Sequence, residues 1–185
     1  MSRRPVVCLA ATLAFATLLL AAAPNALALD RAALERHASV ALRDLYANNE
    51  TARELRSKAV AVLVFPSIVK AGFLFGGQIG DGVLLKNGRV AGFYNTVAAS
   101  YGFQAGVQTF GYALFFMNDK ALAYLDESHG WDVGVGPSIV IVDEGFGKSV
   151  TASTLTSDVY AFIFDQKGLM GGVGVQGSKI TRIAD

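Results

Sequence analysis

Two short stretches carry residue types associated with phosphate chemistry. DEGFGKSV, Asp143 to Val150, contains Gly147-Lys148-Ser149, the triplet that closes nucleotide-binding phosphate loops. Further on, GVGVQG spells G-x-G-x-x-G from Gly172 to Gly177, the pattern that lets backbone amides approach a pyrophosphate. Each fails on its context. The phosphate-loop motif places a glycine where this chain has Val142, and a β-branched residue suits that tight backbone poorly. Gly145-Phe146-Gly147 reads instead as a turn, with Lys148 an ordinary exposed lysine. The dinucleotide fingerprint opens a helix and needs an acid about 20 residues on. Only eight residues follow Gly177, and SKITRIAD alternates like a strand. No nucleotide partner and no cofactor are expected.

Other reactive types are sparse. The two histidines are His37, in a helical stretch, and His129, in the turn-like DESHGWD. No G-x-S-x-G or H-E-x-x-H occurs, so no enzyme is expected. The acid pairs Asp126-Glu127 and Asp143-Glu144 sit in turns, where the reading is that they face solvent; no metal site is expected. What remains is a group of cations beside aromatics: Arg53, Arg56, Lys58 and Lys70, with Phe73 and Phe75 nearby in sequence. Such a cluster suits an anionic bilayer, where each cation adds up to ~1 kcal/mol. Taken alone, the same residues more often form a solvated helix end and two core aromatics.

The composition sets bounds. Of 185 residues, 52% are hydrophobic and 17% charged, which excludes disorder and charge-driven nucleic-acid binding. Residues 1–28 explain part of the apolar excess. Arg3 and Arg4 precede an apolar run from Val6 to Ala23, then Pro24-Asn25 and an Ala26-Leu27-Ala28 cleavage pattern. A secretory signal cut after Ala28 is expected, with an uncleaved anchor as the alternative. The single cysteine, Cys8, lies inside this segment, leaving residues 29–185 without a thiol. Fourteen basic residues there face fifteen acidic ones, unevenly: residues 29–89 hold nine and six, residues 90–185 five and nine.

Residues 29–185 read as one domain. Leu34, Ala38, Ala41, Leu42 and Leu45 share one helical face, with Asp30 as N-cap and Asn48-Asn49 as the stop. Such a helix could lie on lipid, but more often packs on its own sheet. Thr51 and Glu54 have capping-box spacing for a second short helix. AVAVLVF is a strand ended by Pro66, and Asn87-Gly88 between apolar arms is a type I′ hairpin turn. Tyr101–Thr109, Tyr112–Met117, WDVGVGPSIVIV and VYAFIFD read as strands, NDKALAYL as a helix capped by Asn118, and DQKG as a turn. The pairs Gly80/Gly82, Gly134/Gly136 and Gly172/Gly174 are spaced by two, so each faces one side of a strand. They imply a sheet that bends sharply or meets another layer closely. The fold class is α+β: short N-terminal helices packed on a strongly curved, mostly antiparallel, partly closed sheet.

SKAVAVLVFPSIVKAGFLFGGQIGDGVLL, GFQAGVQ, WDVGVGPSI and SDVYAFIFDQKGLMGGVGVQGS resemble the SYLF domain family, a lipid-binding domain of bacteria and eukaryotes. The resemblance runs from about Arg53 to Ile183. It implies a single domain of short helices and a curved antiparallel sheet. In eukaryotic relatives it implies binding of anionic phosphoinositide membranes, assisted by basic residues and an amphipathic N-terminal segment, and in some a link to actin. Lys70, in the VKAGF block, carries over most directly. The departures are the lack of an SH3 module and the export signal. The resulting expectation is a non-enzymatic, exported, periplasmic domain, peripheral to the membrane. It would contact anionic phospholipid headgroups through Arg53, Arg56, Lys58, Lys70, Phe73 and Phe75. The alternative is an envelope structural or protein-interaction module whose curved sheet binds a partner protein.

Overall fold

The computed structural model describes residues 30–127, 130–142 and 156–184. The export signal, His129, Asp143-Glu144 and the Gly147-Lys148-Ser149 turn lie outside the described residues.

Helix α1 (Arg31–Asn48) buries Leu34, Ala38, Ala41, Leu42 and Leu45, the apolar face its periodicity defines. Helix α2 (Glu50–Leu55) starts earlier than its capping-box spacing suggests. Asn49 is the N-cap, its Oδ1 accepting from the Ala52 amide at 2.9 Å. Thr51 is therefore a buried helical residue and caps nothing. An asparagine oxygen two residues upstream satisfies the free amide first.

Three strands dominate: β1 (Ala61–Lys86), β2 (Arg89–Phe116) and, near the C-terminus, β5 (Val159–Arg182), of 26, 28 and 24 residues. The chain is continuous where the sequence suggested breaks. Pro66 sits in a bulge between Phe65 and Ile68, and β1 runs on. The two strands expected within residues 101–117 are one. DQKG is a bulge inside β5, with Asp165 at φ 52 opposite the register shift between Thr109 and Gly111. Ladder pairs before and after each irregularity keep the strand in register with its neighbour, which is why a local breaker did not end it. The Asn87-Gly88 turn is as expected, with φ 53 and 73.

Between β2 and β5 lie α3 (Asp119–Ala123), a 3₁₀ turn (Tyr124–Asp126), β3 (Trp131–Asp132) and β4 (Ile139–Val142). Asn118 caps α3, accepting from the Ala121 amide at 2.8 Å. The strand expected across WDVGVGPSIVIV is instead two short strands around a loop. Gly134 and Gly136 both have positive φ, 99 and 89, so their spacing by two belongs to a turn. The sheet order is β1-β2-β5-β3, all antiparallel, with β4 pairing β5 in parallel.

Straight strands of this length would run roughly 80–90 Å at ~3.3 Å per residue, about twice the diameter of such a domain. The ribbon β1-β2-β5 therefore folds over on itself. At Gly72 an added Cβ would lie 2.7 Å from the Gly76 Cα, and Leu74 between them has φ 64. Beyond this bend the two arms of β1 meet. A Cβ on Gly80 would stand 2.7 Å from Ile68 Cγ1 and 3.0 Å from Ser67 O; on Gly82 it would stand 2.6 Å from Phe65 Cδ1 and 2.8 Å from Val64 O. Glycine here admits backbone-to-backbone packing that any side chain would block.

The core fills the space between the arms. Leu63, Phe65, Ile68, Leu114 and Phe116 from one arm face Leu84, Tyr94 and Ile180 from the other. Ala121, Leu125 and Trp131 complete the same cluster. On the other face of the first arm, α1 covers the sheet: Tyr46 meets Phe115 edge-on at 6.2 Å, and Val64, Ala113 and Phe162 are buried. Asp126 faces solvent as expected, and it also forms a surface ion pair. It accepts from Arg182 at 3.0 Å, and Arg182 also donates to Ala91 O at 3.1 Å.

Asp158 joins three elements at the start of β5. Its carboxylate accepts from the Ser138 amide and hydroxyl, both at 3.0 Å, and from Asn118 Nδ2 at 2.8 Å. The Ser138 amide bond, then the Asn118 and Ser138 side-chain bonds, hold this carboxyl below the usual aspartate range. A lowered folded-state value gives stability that is present above the unfolded value, about 3.9, and lost as pH falls through the folded one. Asp158→Asn is therefore expected to be less stable than wild type at pH 6. Its thermal midpoint should fall less on acidification to pH 2.5, so that the two curves converge. Parallel curves in thermal melts would count against this role.

Candidate functional site

Antiparallel partners point to the same side of a sheet, so register assigns faces. Near the bend, the outer face carries Val69, Ala71 and Phe73 on one arm of β1, and Phe75, Gly77 and Ile79 on the other. Across from them lie Thr109, Val107, Ala105, Tyr101, Ala99 and Val97 of β2. Leu169 of β5 pairs Val107. This face is apolar and uncovered. Phe73 is 75% exposed, Phe75 71%, Tyr101 66% and Leu169 89%, and Val69, Leu74, Ile79, Val97 and Val107 are exposed as well. Phe75 and Tyr101 lie ring to ring at 5.0 Å. Three aromatics of 150–250 Å² each, so exposed, leave roughly 300–500 Å² bare, already the largest apolar patch of a typical monomer. The aliphatic neighbours take it beyond that.

The inner face at the same level is polar or small. Lys70 pairs Gln108, Gly76 pairs Ser100, and Gln78 pairs Ala98. Ser100 and Ala98 are buried, at 8% and 4%. The usual polarity of a sheet, apolar inside and polar outside, is thus reversed around the bend. Cations stand where the apolar outer face ends: Lys167 pairs Thr109 on one arm, and Lys179 pairs Val97 on the other. Lys179 also reaches Asp132 at 3.5 Å.

The structure divides the residues singled out from sequence into two groups. Lys70, Phe73 and Phe75 share the bend. Arg53, Arg56 and Lys58 precede β1, with the length of its first arm between them and the bend. Arg53 donates to Tyr46 O at 3.2 Å, and the Arg56 guanidinium lies 5.1 Å from the Tyr46 ring centroid. Arg56 and Ser57 border a cavity of about 360 Å³ with the Asn87-Gly88 turn. Lys86 and Arg89 flank that turn, so the hairpin end adds two cations the sequence reading missed. It missed Tyr101, Val107 and Leu169 too. Their signal was a period-two alternation, which does not say which face is outside until the register is known.

Among the described residues, no group of three His, Cys, Asp or Glu side chains could hold a metal. Nor is any described helix long and apolar enough to cross a membrane.

The fold itself defines the class: an α+β domain built on a doubled-over antiparallel ribbon. The family model described as Ysc84, Las17-binding protein actin regulator, matches residues 97–185. Protein YSC84 of Saccharomyces cerevisiae is 30% identical over 132 residues, 68% of this chain. The chain spans 28% of that relative's length. It belongs to the SYLF (Ysc84) family.

Proposed function

We propose that this is a non-enzymatic lipid-binding domain that contacts anionic phospholipid at a membrane surface. The observation that carries this reading is the bare apolar face around the bend, with Lys167 and Lys179 at its margins and Lys70 behind it. Apolar contact supplies attraction to any bilayer, and the lysines select a negatively charged one. The amino-terminal segment, read as an export signal, would deliver the domain to the periplasm, where it would act as a peripheral protein.

Protein spanning residues 29–185 is expected to co-sediment with vesicles containing phosphatidylglycerol more than with pure phosphatidylcholine. Raising the salt from about 0.05 to 0.5 M should release much of it, because exposed charge contacts are screened. Equal sedimentation with both vesicles, or none with either, would refute the proposal.

A second reading is favoured by the family description, which names a protein partner, Las17. In it the same apolar face would dock a partner protein of the cell envelope. Capture of one stoichiometric partner, unchanged after detergent delipidation, would favour this reading.

A further inference from the structure

The bend has a polarity and a size that single out one occupant. Outside it is apolar, with Phe73, Phe75, Tyr101 and Leu169 exposed; inside it carries Lys70, Gln108, Gln78 and Ser100. Apolar-out and polar-in alternation is the pattern of a sheet that faces lipid. A docking surface for a protein would need no polar interior behind it. The apolar stretch runs from Val69 to Phe73 on one arm and from Phe75 to Ile79 on the other. Five residues at ~3.3 Å make each about 16 Å, close to half of a hydrocarbon core of about 30 Å. Lys167 and Lys179 then stand at headgroup level on the two arms.

Depth has an opposing term. β1 is the outermost strand of the sheet, and its unpaired backbone groups would lose water in hydrocarbon. That loss limits the depth and keeps the bend within one leaflet, as with other one-leaflet anchors.

We infer that residues 69–79, with Tyr101 and Leu169, form a β-bend that inserts into one leaflet of an anionic bilayer. This deepens the membrane reading above and rests on it. The domain is then held by two separable contributions: salt-sensitive attraction at the lysines, and salt-resistant burial of the aromatic tip.

The chain's one tryptophan, Trp131, is 1% exposed in the core, so it serves as an internal control. Phe75→Trp places a second reporter on the tip. With phosphatidylglycerol vesicles carrying bromines at acyl carbons 6 and 7, Phe75→Trp emission is expected to shift to the blue and be quenched. Wild-type emission should stay unchanged. Phe73→Ser combined with Phe75→Ser should weaken vesicle binding at least about tenfold, with the residual binding lost in high salt. Because both side chains are exposed, the thermal midpoint of this variant should stay within a few degrees of wild type. Co-sedimentation without quenching of Phe75→Trp would overturn the insertion while leaving the membrane reading intact. Absence of co-sedimentation would overturn both.

Discussion

Gly82→Val is expected to destabilise the domain by about 3 kcal/mol or more, the upper end of what overpacking costs. Valine favours strands, so propensity alone would predict a gain. The loss comes from the neighbours. The new Cβ would stand 2.6 Å from a Phe65 ring carbon and 2.8 Å from the Val64 carbonyl oxygen. The ring can turn, but the carbonyl is fixed in the ladder of the facing arm. For a chain of this size the thermal midpoint should fall by roughly 6–12 °C. Gly177→Val is the matched control, since a Cβ there meets nothing within 4 Å. It should be neutral or slightly stabilising in the same melts. Equal losses at both positions would show that glycine matters here for strand flexibility, not for close packing of the arms.

Trp131→Ala is expected to cost about 3–5 kcal/mol, the usual range for removing a large buried aromatic. Trp131 is 1% exposed, packs 5.9 Å from the Phe116 ring, and donates Nε1–H to the Val135 carbonyl at 2.9 Å. Its strand pairs with only two residues of β5, Ile180 and Lys179, so the indole, with Val133 and Ile139 beside it, helps tie this segment to the core. Trp131→Phe retains most of the ring and loses the hydrogen bond. It should recover more than half of the loss in chemical denaturation. If both variants behave alike, the Val135 bond outweighs the packing.

Sequence made some features plain and left others hidden, for physical reasons. Asn87-Gly88, the Asn118 cap and the buried face of α1 depend on neighbouring residues, and each is where its local chemistry puts it. Pro66 and the Asp165–Gly168 stretch carry equally strong local signals for an end, yet both lie within strands. There the partner strand decides, and its pairing residues are distant in sequence. Gly80/Gly82 and Gly134/Gly136 have the same spacing and opposite meanings, because only backbone φ separates a close-packed strand from a turn. The site followed the same rule. Lys70, Phe73 and Phe75 were legible as neighbours, since a single bend holds them. Arg53, Arg56 and Lys58 were close in sequence and lie elsewhere, because an extended arm carries the chain away from them. Tyr101 and Leu169 join the bend only through register.

The pairing scheme also orders assembly in time. β1 and β2 can zip outward from Lys86↔Arg89 to Ala61↔Phe116, each step closing a slightly larger loop. β3 and β4 have no tight turn to start from, since their ladder partner β5 follows both of them across a longer connection. A nascent chain would therefore present a long hairpin with its aromatic crest bare before the rest had arrived. During that interval the crest is as open to self-association as to lipid, and holdase chaperones would meet it there.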